Sequence, residues 1–282
     1  MITLDADTVL PEDSAQRLVS ALAHPLNHAQ IDPQTAKVVA GYAILQPRTE
    51  IKPISANQSL FTRIFAGDTG LDLYTRAVSD VYQDFFGEGI YVGKGIYDVD
   101  ALIECLDQRI PDNTLLSHDL FEGLFACVAL ITDTQLLEDF PAQYLAHTRR
   151  LHRWIRGDWQ LLPWLLSGTQ PLSALDRWKI LDNLRRSLVM PALLVMLIAV
   201  WLGLPGSALV WTLVGIGTLG VSLITSIVGS LLHRTAATEL RDLVRPIRLD
   251  ALRWLLALVF LPYEAALSLS AIGITLVRLY IT

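Results

Sequence analysis

Two carboxylates one residue apart, Asp5 and Asp7, follow the apolar run of Ile2, Thr3 and Leu4. Such a pair can hold a hard divalent cation such as Mg²⁺, whose remaining ligands are substrate phosphates and water. Residues 2–11 read as a short buried strand that ends in the pair. Two chemistries fit it: a grip on a diphosphate through the metal, or a nucleophile and an acid/base acting on a phosphoryl group. A solvated strand end is the plain alternative. Further along, residues 87–98 are glycine-rich and carry Lys94, which can meet a phosphate or a sugar hydroxyl, although the glycine spacing is not that of a Walker loop. Residues 115–123 look like a helix start, with Ser117 as cap and Asp119 in the first turn beside His118. An acid in that position is either a complement to the helix dipole or a base aimed into a cleft. Residues 149–160 interleave four arginines with two tryptophans. Arginine neutralises a diphosphate and tryptophan stacks on a sugar ring, while an interfacial membrane anchor is the simpler reading.

These groups need a scaffold. Residues 13–22 read as an amphipathic helix, 24–27 as a loop, 38–47 as one strand and 75–86 as a helical stretch, an α/β order. The chain's 282 residues are 52% hydrophobic and only 18% charged, and the mean hydropathy of +0.42 places part of it in lipid. A net charge of -6 argues against nucleic acid as a partner. Cys105 and Cys127 make neither a disulfide framework nor a metal spacing.

The apolar residues are not spread evenly. From Leu188 to Leu232 there is no Asp, Glu, Lys or Arg, which suits two membrane spans, 188–204 and 208–232, joined by a turn at Leu204, Pro205, Gly206 and Ser207. Residues 233–250 return to polar with Arg234, Arg241, Arg245 and Arg248. Residues 252–280 are apolar around Pro262, Tyr263 and Glu264, and read either as one helix bent at Pro262 or as a re-entrant hairpin. Basic residues flank the hairpin and its turn has none, so the globular part is expected in the cytosol. The first four residues are too short for a signal peptide. The expected organisation is a globular domain over 1–187, a transmembrane hairpin over 188–232, a basic linker over 233–250 and a membrane-embedded or interfacial segment over 251–282.

Taken in order, several segments resemble one family. They are Thr3-Leu4-Asp5-Ala6-Asp7-Thr8, His24-Pro25-Leu26-Asn27, Ser79-Asp80-Val81-Tyr82-Gln83-Asp84, Gly93-Lys94-Gly95-Ile96-Tyr97-Asp98-Val99-Asp100, Leu116-Ser117-His118-Asp119-Leu120, His152-Arg153-Trp154-Ile155-Arg156-Gly157-Asp158-Trp159-Gln160, Asp182-Asn183-Leu184-Arg185-Arg186-Ser187 and Leu261-Pro262-Tyr263-Glu264-Ala265. Together they are similar to the glycosyltransferase region of bacterial cyclic β-1,2-glucan synthases, relatives of the processive inverting synthases. The resemblance implies an α/β nucleotide-sugar glycosyltransferase of the GT-A type, truncated at its amino terminus, followed by a helical transmembrane region in the bacterial inner membrane. It implies UDP-glucose as donor, a growing β-1,2-glucan as acceptor, and Mg²⁺ or Mn²⁺ on Asp5 and Asp7. Asp119 falls in the place of the catalytic base, with Lys94, His118, Arg153 and Trp154 as donor- or acceptor-binding residues. Two spellings depart from the family: His118 stands where a glutamate is usual, and Arg150 where a glutamine is usual.

Inverting transfer needs a base for the acceptor hydroxyl and cations for the departing diphosphate, without a covalent intermediate. The alternatives are a membrane-anchored phosphatase of the haloacid dehalogenase type, whose Asp-x-Asp-x-Thr/Val spelling Asp5 to Val9 also matches, and a non-catalytic membrane scaffold. Only four residues precede Asp5, where such a domain carries uracil-binding strands, and the cyclising parts of a full synthase are missing. The chain is therefore expected to be a piece of a larger protein, inactive alone.

Overall fold

The computed structural model describes residues 1–66, 81–107, 109–111, 114–168, 170–203, 205–232 and 240–281. Residues 75–80 of the expected helix (with Ser79 and Asp80), Leu204 of the expected turn, and 233–239 of the expected linker lie outside them.

The chain divides into two units, Met1–Asn183 and Leu184–Thr282. The first is a mixed α/β unit. Its sheet has the order β1-β5-β4-β6, from β1 (Ile2–Thr3), β4 (Ile44–Ile51), β5 (Gly95–Tyr97) and β6 (Val128–Glu138). β5 runs antiparallel to both β1 and β4, whereas β4 and β6 are parallel. The carboxyl ends of β1, β4 and β6 therefore meet the amino end of β5 along one edge of the sheet. Pro47 has no N–H to give the ladder, and the β4–β6 register slips between Pro47 and Arg48.

One face of the sheet carries Leu45, Ile96 and Ala129, against which helix α1 (Ser14–Leu22) packs Leu18 with no exposure. Burying a leucine of this kind stabilises the fold by about 2 kcal/mol. Helices α2 (Pro53–Ala56), α3 (Leu60–Phe65), α4 (Val81–Phe86) and α5 (Val99–Leu106) follow as connections, then α6 (Asp119–Ala126), whose Phe121, Leu124 and Phe125 are buried. A Cβ on Gly123 of α6 would stand 3.0 Å from the Cβ of Tyr91 and 3.2 Å from the side chain of Val128 of β6, so the glycine lets the helix pack close to the strand.

Two readings of the strands need correction. The strand before the carboxylate pair has two half-buried residues and lies at the edge of the sheet, because β5 is its only partner in the strand order. The run 38–47 is two strands, not one. β3 (Lys37–Ala40) pairs with β2 (Gln30–Asp32) in a separate hairpin, and β4 begins after Gly41. Gly41 makes the break: its φ is 69°, and a Cβ there would lie 2.1 Å from the His28 carbonyl oxygen.

Helices α7 (Tyr144–Gln160) and α8 (Leu162–Leu166) complete the first unit, and α9 (Ala174–Leu202) contains the division between the two. In the second unit, α10 (Ala208–Leu219) and α11 (Val221–Leu232) replace the single span expected over 208–232, bent by 69° at the break. The cause is a diverted carbonyl. In a continuous helix Ile216 O would accept from the Gly220 N–H. Here it accepts from the Trp254 indole N–H at 2.9 Å, and Gly220 N–H turns to Gly217 O. Helix α12 (Leu240–Tyr280) is continuous through Pro262, so the segment is a helix and not a re-entrant hairpin. Ala174–Leu202, with 29 residues, and Pro246–Tyr280, with 35, are long and apolar enough to cross a membrane, and counting the bent pair gives up to three candidate spans among the described residues.

Candidate active site

The sheet edge where three strands end and β5 begins opens onto a cavity of about 670 Å³ in the first unit. Strand ends are where α/β sheets bind ligands, since side chains leaving several strands converge there. Asp5 and Asp7 come from the turn after β1, Lys94 from the residue before β5, His118 and Asp119 from the start of α6, and Arg153 and Trp154 from α7. All seven line the cavity. Sequence spacing pairs Asp5 with Asp7, His118 with Asp119 and Arg153 with Trp154, and the packed fold brings these pairs and Lys94 to one cavity.

The centre is an ion-paired lysine. Lys94 Nζ lies 3.1 Å from Asp5 Oδ2 and is also bonded to Glu138, the last residue of β6. Burial disfavours its ammonium, but Glu138 and Asp5 more than offset this and hold the pKa above the ordinary lysine value. Asp5 and Asp7 are both exposed, and no group of three His, Cys, Asp or Glu side chains able to hold a metal occurs among the described residues. This donor set fits an ion of one kind. It offers hard oxygen ligands from at most two carboxylates, as for a Mg²⁺ or Mn²⁺ whose shell is completed by a diphosphate, and does not fit an ion caged by protein alone.

Asp119 is the first residue of α6, but Ser117 is not its helix cap. His118 occupies the N-cap without a side-chain bond, and Ser117 Oγ donates to Asp119 Oδ2 at 3.0 Å. Burial raises the Asp119 pKa, the bond from Ser117 works against this, and the charge of Asp5 adds to it. Gly93 sits directly over this carboxylate with φ 94°, and a Cβ there would stand 2.9 Å from Oδ2. The loop that carries Gly93 is clasped by Gln46, buried in β4: its Nε2 donates to Ile90 O at 3.1 Å and its Oε1 accepts from Val92 N–H at 2.7 Å.

On α7, the Arg150 guanidinium lies 4.5 Å from the Trp154 ring centroid, covering one face of the indole. Among the described residues, its buried Nε has no hydrogen-bond partner. The arginine that replaces the usual glutamine is thus part of the cavity wall, held by an aromatic ring. Arg153 also reaches the cavity and is exposed, while Trp159 does not line it.

Sequence reasoning missed Glu138, Glu122 and Asp158, which line the same cavity. Burial, with the charge of Asp119, pushes Glu122 up to about 7 and Asp158 likewise up to about 7, the latter opposed by a bond from Asn183. Glu122 was within reach of pattern reading, being three residues after Asp119 on one helix face. Glu138 carries no local signal beyond its place after an apolar run.

No family model matches the chain. Over its whole length, across 288 aligned residues, it is 43% identical to the cyclic beta-(1,2)-glucan synthase NdvB of Rhizobium meliloti (strain 1021). It spans 10% of that protein's length. The resemblance carried by the motifs therefore extends along the entire chain, which is homologous to one segment of that synthase.

Proposed function

We propose that this chain is the sugar-transferring segment of a cyclic β-1,2-glucan synthase, moving glucose from UDP-glucose to a growing β-1,2-glucan with inversion. The observation that supports it most is the one cavity lined by Asp5, Asp7, Lys94, His118, Asp119, Arg153 and Trp154, in a chain whose whole length aligns with one segment of a glucan synthase. The phosphatase and scaffold readings leave Asp119, Arg153 and Trp154 at that cavity without a task.

In this reading Asp119 takes the proton of the acceptor hydroxyl as its oxygen attacks the anomeric carbon. The bond from that carbon to the diphosphate oxygen breaks on the opposite side, and its electron pair leaves with UDP. A carboxylate whose pKa burial has raised is a stronger base than a solvated one, which suits it to the task. Asp5 and Asp7 would hold Mg²⁺ or Mn²⁺ together with diphosphate oxygens, and the bound ion would neutralise charge on the leaving group. Arg153 would add fixed positive charge beside the diphosphate, Lys94, its charge balanced by Glu138 and Asp5, would donate to a phosphate or sugar oxygen, His118 would bond donor or acceptor hydroxyls, and Trp154 would stack on the sugar through the face that Arg150 leaves open. The second unit would cross the bacterial inner membrane several times, with the first unit on the cytosolic side. The fold type would be that of nucleotide-sugar transferases.

The test uses a full-length synthase carrying this segment. Asp119→Asn should lower glucose transfer from UDP-glucose by about a thousandfold, the range of general-base removal, and leave UDP binding nearly unchanged. Loss of UDP binding in a folded Asp119→Asn protein would assign the residue to the donor site instead.

A further inference from the structure

The cavity wall contains a polar pair for which the transfer chemistry above has no use. Residues 150, 154 and 158 recur every fourth position along α7, with 153, 157 and 161 beside them, and this face of the helix lines the cavity. Gly157 lets the face come close to α6. A Cβ there would lie 3.3 Å from the Cβ of Ser117, the residue that donates to Asp119. One position further, Asp158 Oδ1 accepts a hydrogen bond from Asn183 Nδ2 at 3.3 Å. Among the described residues no protein donor reaches Asp158 Oδ2.

An amide in this position fixes the orientation of the carboxylate and leaves one oxygen for a guest. The charge of Asp119 also contributes to the raised pKa of Asp158. Two carboxyl groups that line one cavity, on elements that approach each other at Gly157 and Ser117, suit a pyranose ring that offers two adjacent hydroxyls. A sugar joined through O2 has its C3 hydroxyl next to the attacking group, and C1 on the other side carries the linkage rather than a hydroxyl.

We propose that Asp158, held by Asn183, binds the acceptor: it accepts a hydrogen bond from the hydroxyl adjacent to the attacking one and so delivers the attacking hydroxyl to Asp119. This inference rests on the transferase reading. A sugar presented without that bond is held loosely, and water then competes for the activated glucose.

The experiment uses the full-length synthase with radiolabelled UDP-glucose and measures the ratio of glucose built into glucan to UDP released. Asp158→Asn should lower that ratio about tenfold, as loss of a hydrogen bond to a charged acceptor does, at an unchanged half-saturating UDP-glucose concentration. Asn183→Ala, which keeps the carboxylate but frees it, should lower the ratio less, and it decides the matter if Asp158→Asn does not fold. An unchanged ratio, or a rise in half-saturating UDP-glucose, overturns the assignment. If the unmodified synthase neither releases UDP nor makes glucan from UDP-glucose, the transferase reading fails and this inference with it.

Discussion

The two units of the chain satisfy their polar groups in opposite ways. In Met1–Asn183, charges meet across long sequence separations: Lys37 with Asp176, Lys179 with Glu88, and Lys94 with both Asp5 and Glu138. Lys179 and Asp176 are each only 1% exposed, so these contacts order the fold as well as the site. In Leu184–Thr282, hydroxyls mostly return to their own helix, as Thr212 to Ala208, Thr218 to Val214 and Thr275 to Ala271. Bonds between helices among the described residues include Trp201 to Thr212, Ser226 to Asp250 and Trp254 to Ile216. A helix in lipid must satisfy its backbone internally, whereas a soluble α/β unit can spend long-range polar contacts on shaping a cavity. The lesson concerns what a single substitution should cost in each unit.

A glycine in each unit gives the sharpest contrast. Gly93→Ala should lower glucose transfer by about a hundredfold, since the new Cβ meets the Asp119 carboxylate and a displacement of this size at the base is costly. Gly229→Ala in the second unit, where a Cβ meets nothing within 4 Å, should leave transfer unaltered. Equal losses in the two variants would break the comparison.

Next in size is the clasp on the Gly93 loop. Gln46→Ala leaves Ile90 O and Val92 N–H buried without their partner, and should destabilise the first unit by about 2 kcal/mol. Urea unfolding followed by limited proteolysis of the full-length protein measures it, and an unchanged midpoint would show that the loop is held by other contacts.

The pH dependence separates the units more gently. Glu122 and Asp158 have pKa values raised to about 7 in the folded chain, so their contribution to stability is complete below the ordinary carboxylate range and is lost as pH rises through about 7. The melting temperature of the first unit should therefore fall between about pH 5 and pH 8, and Glu122→Gln should flatten part of that slope. A slope unchanged in this variant would remove Glu122 from the account.

The smallest expected effect is in the second unit. Trp254→Phe removes the bond to Ile216 O and should cost about 0.6 kcal/mol, typical of interhelical bonds in lipid. It should also open the 69° bend toward a straight helix, visible as a longer distance between spin labels on α10 and α11. A bend that persists without the indole would place its cause in Gly220 alone.

Much of this could be read from the amino-acid sequence, because it depends on local composition. The uncharged stretch from Leu188 to Leu232 required apolar helices whatever they pack against, and the helix over 13–22 was visible from its periodicity, as Ser14–Leu22 bears out. Residue type also singled out Asp5, Asp7, Lys94, His118, Asp119, Arg153 and Trp154. What local pattern could not supply was proximity. Lys94 and Glu138 are 44 residues apart, and Trp254 and Ile216 are 38 apart, so the ion pair at the centre of the cavity and the break at Gly220 both depend on which elements become neighbours. The same holds for β1, placed at the sheet edge by its pairing with β5, and for the break at Gly41, forced by the carbonyl of His28. Periodicity records which face of an element is apolar, and only the packed chain decides which element that face meets.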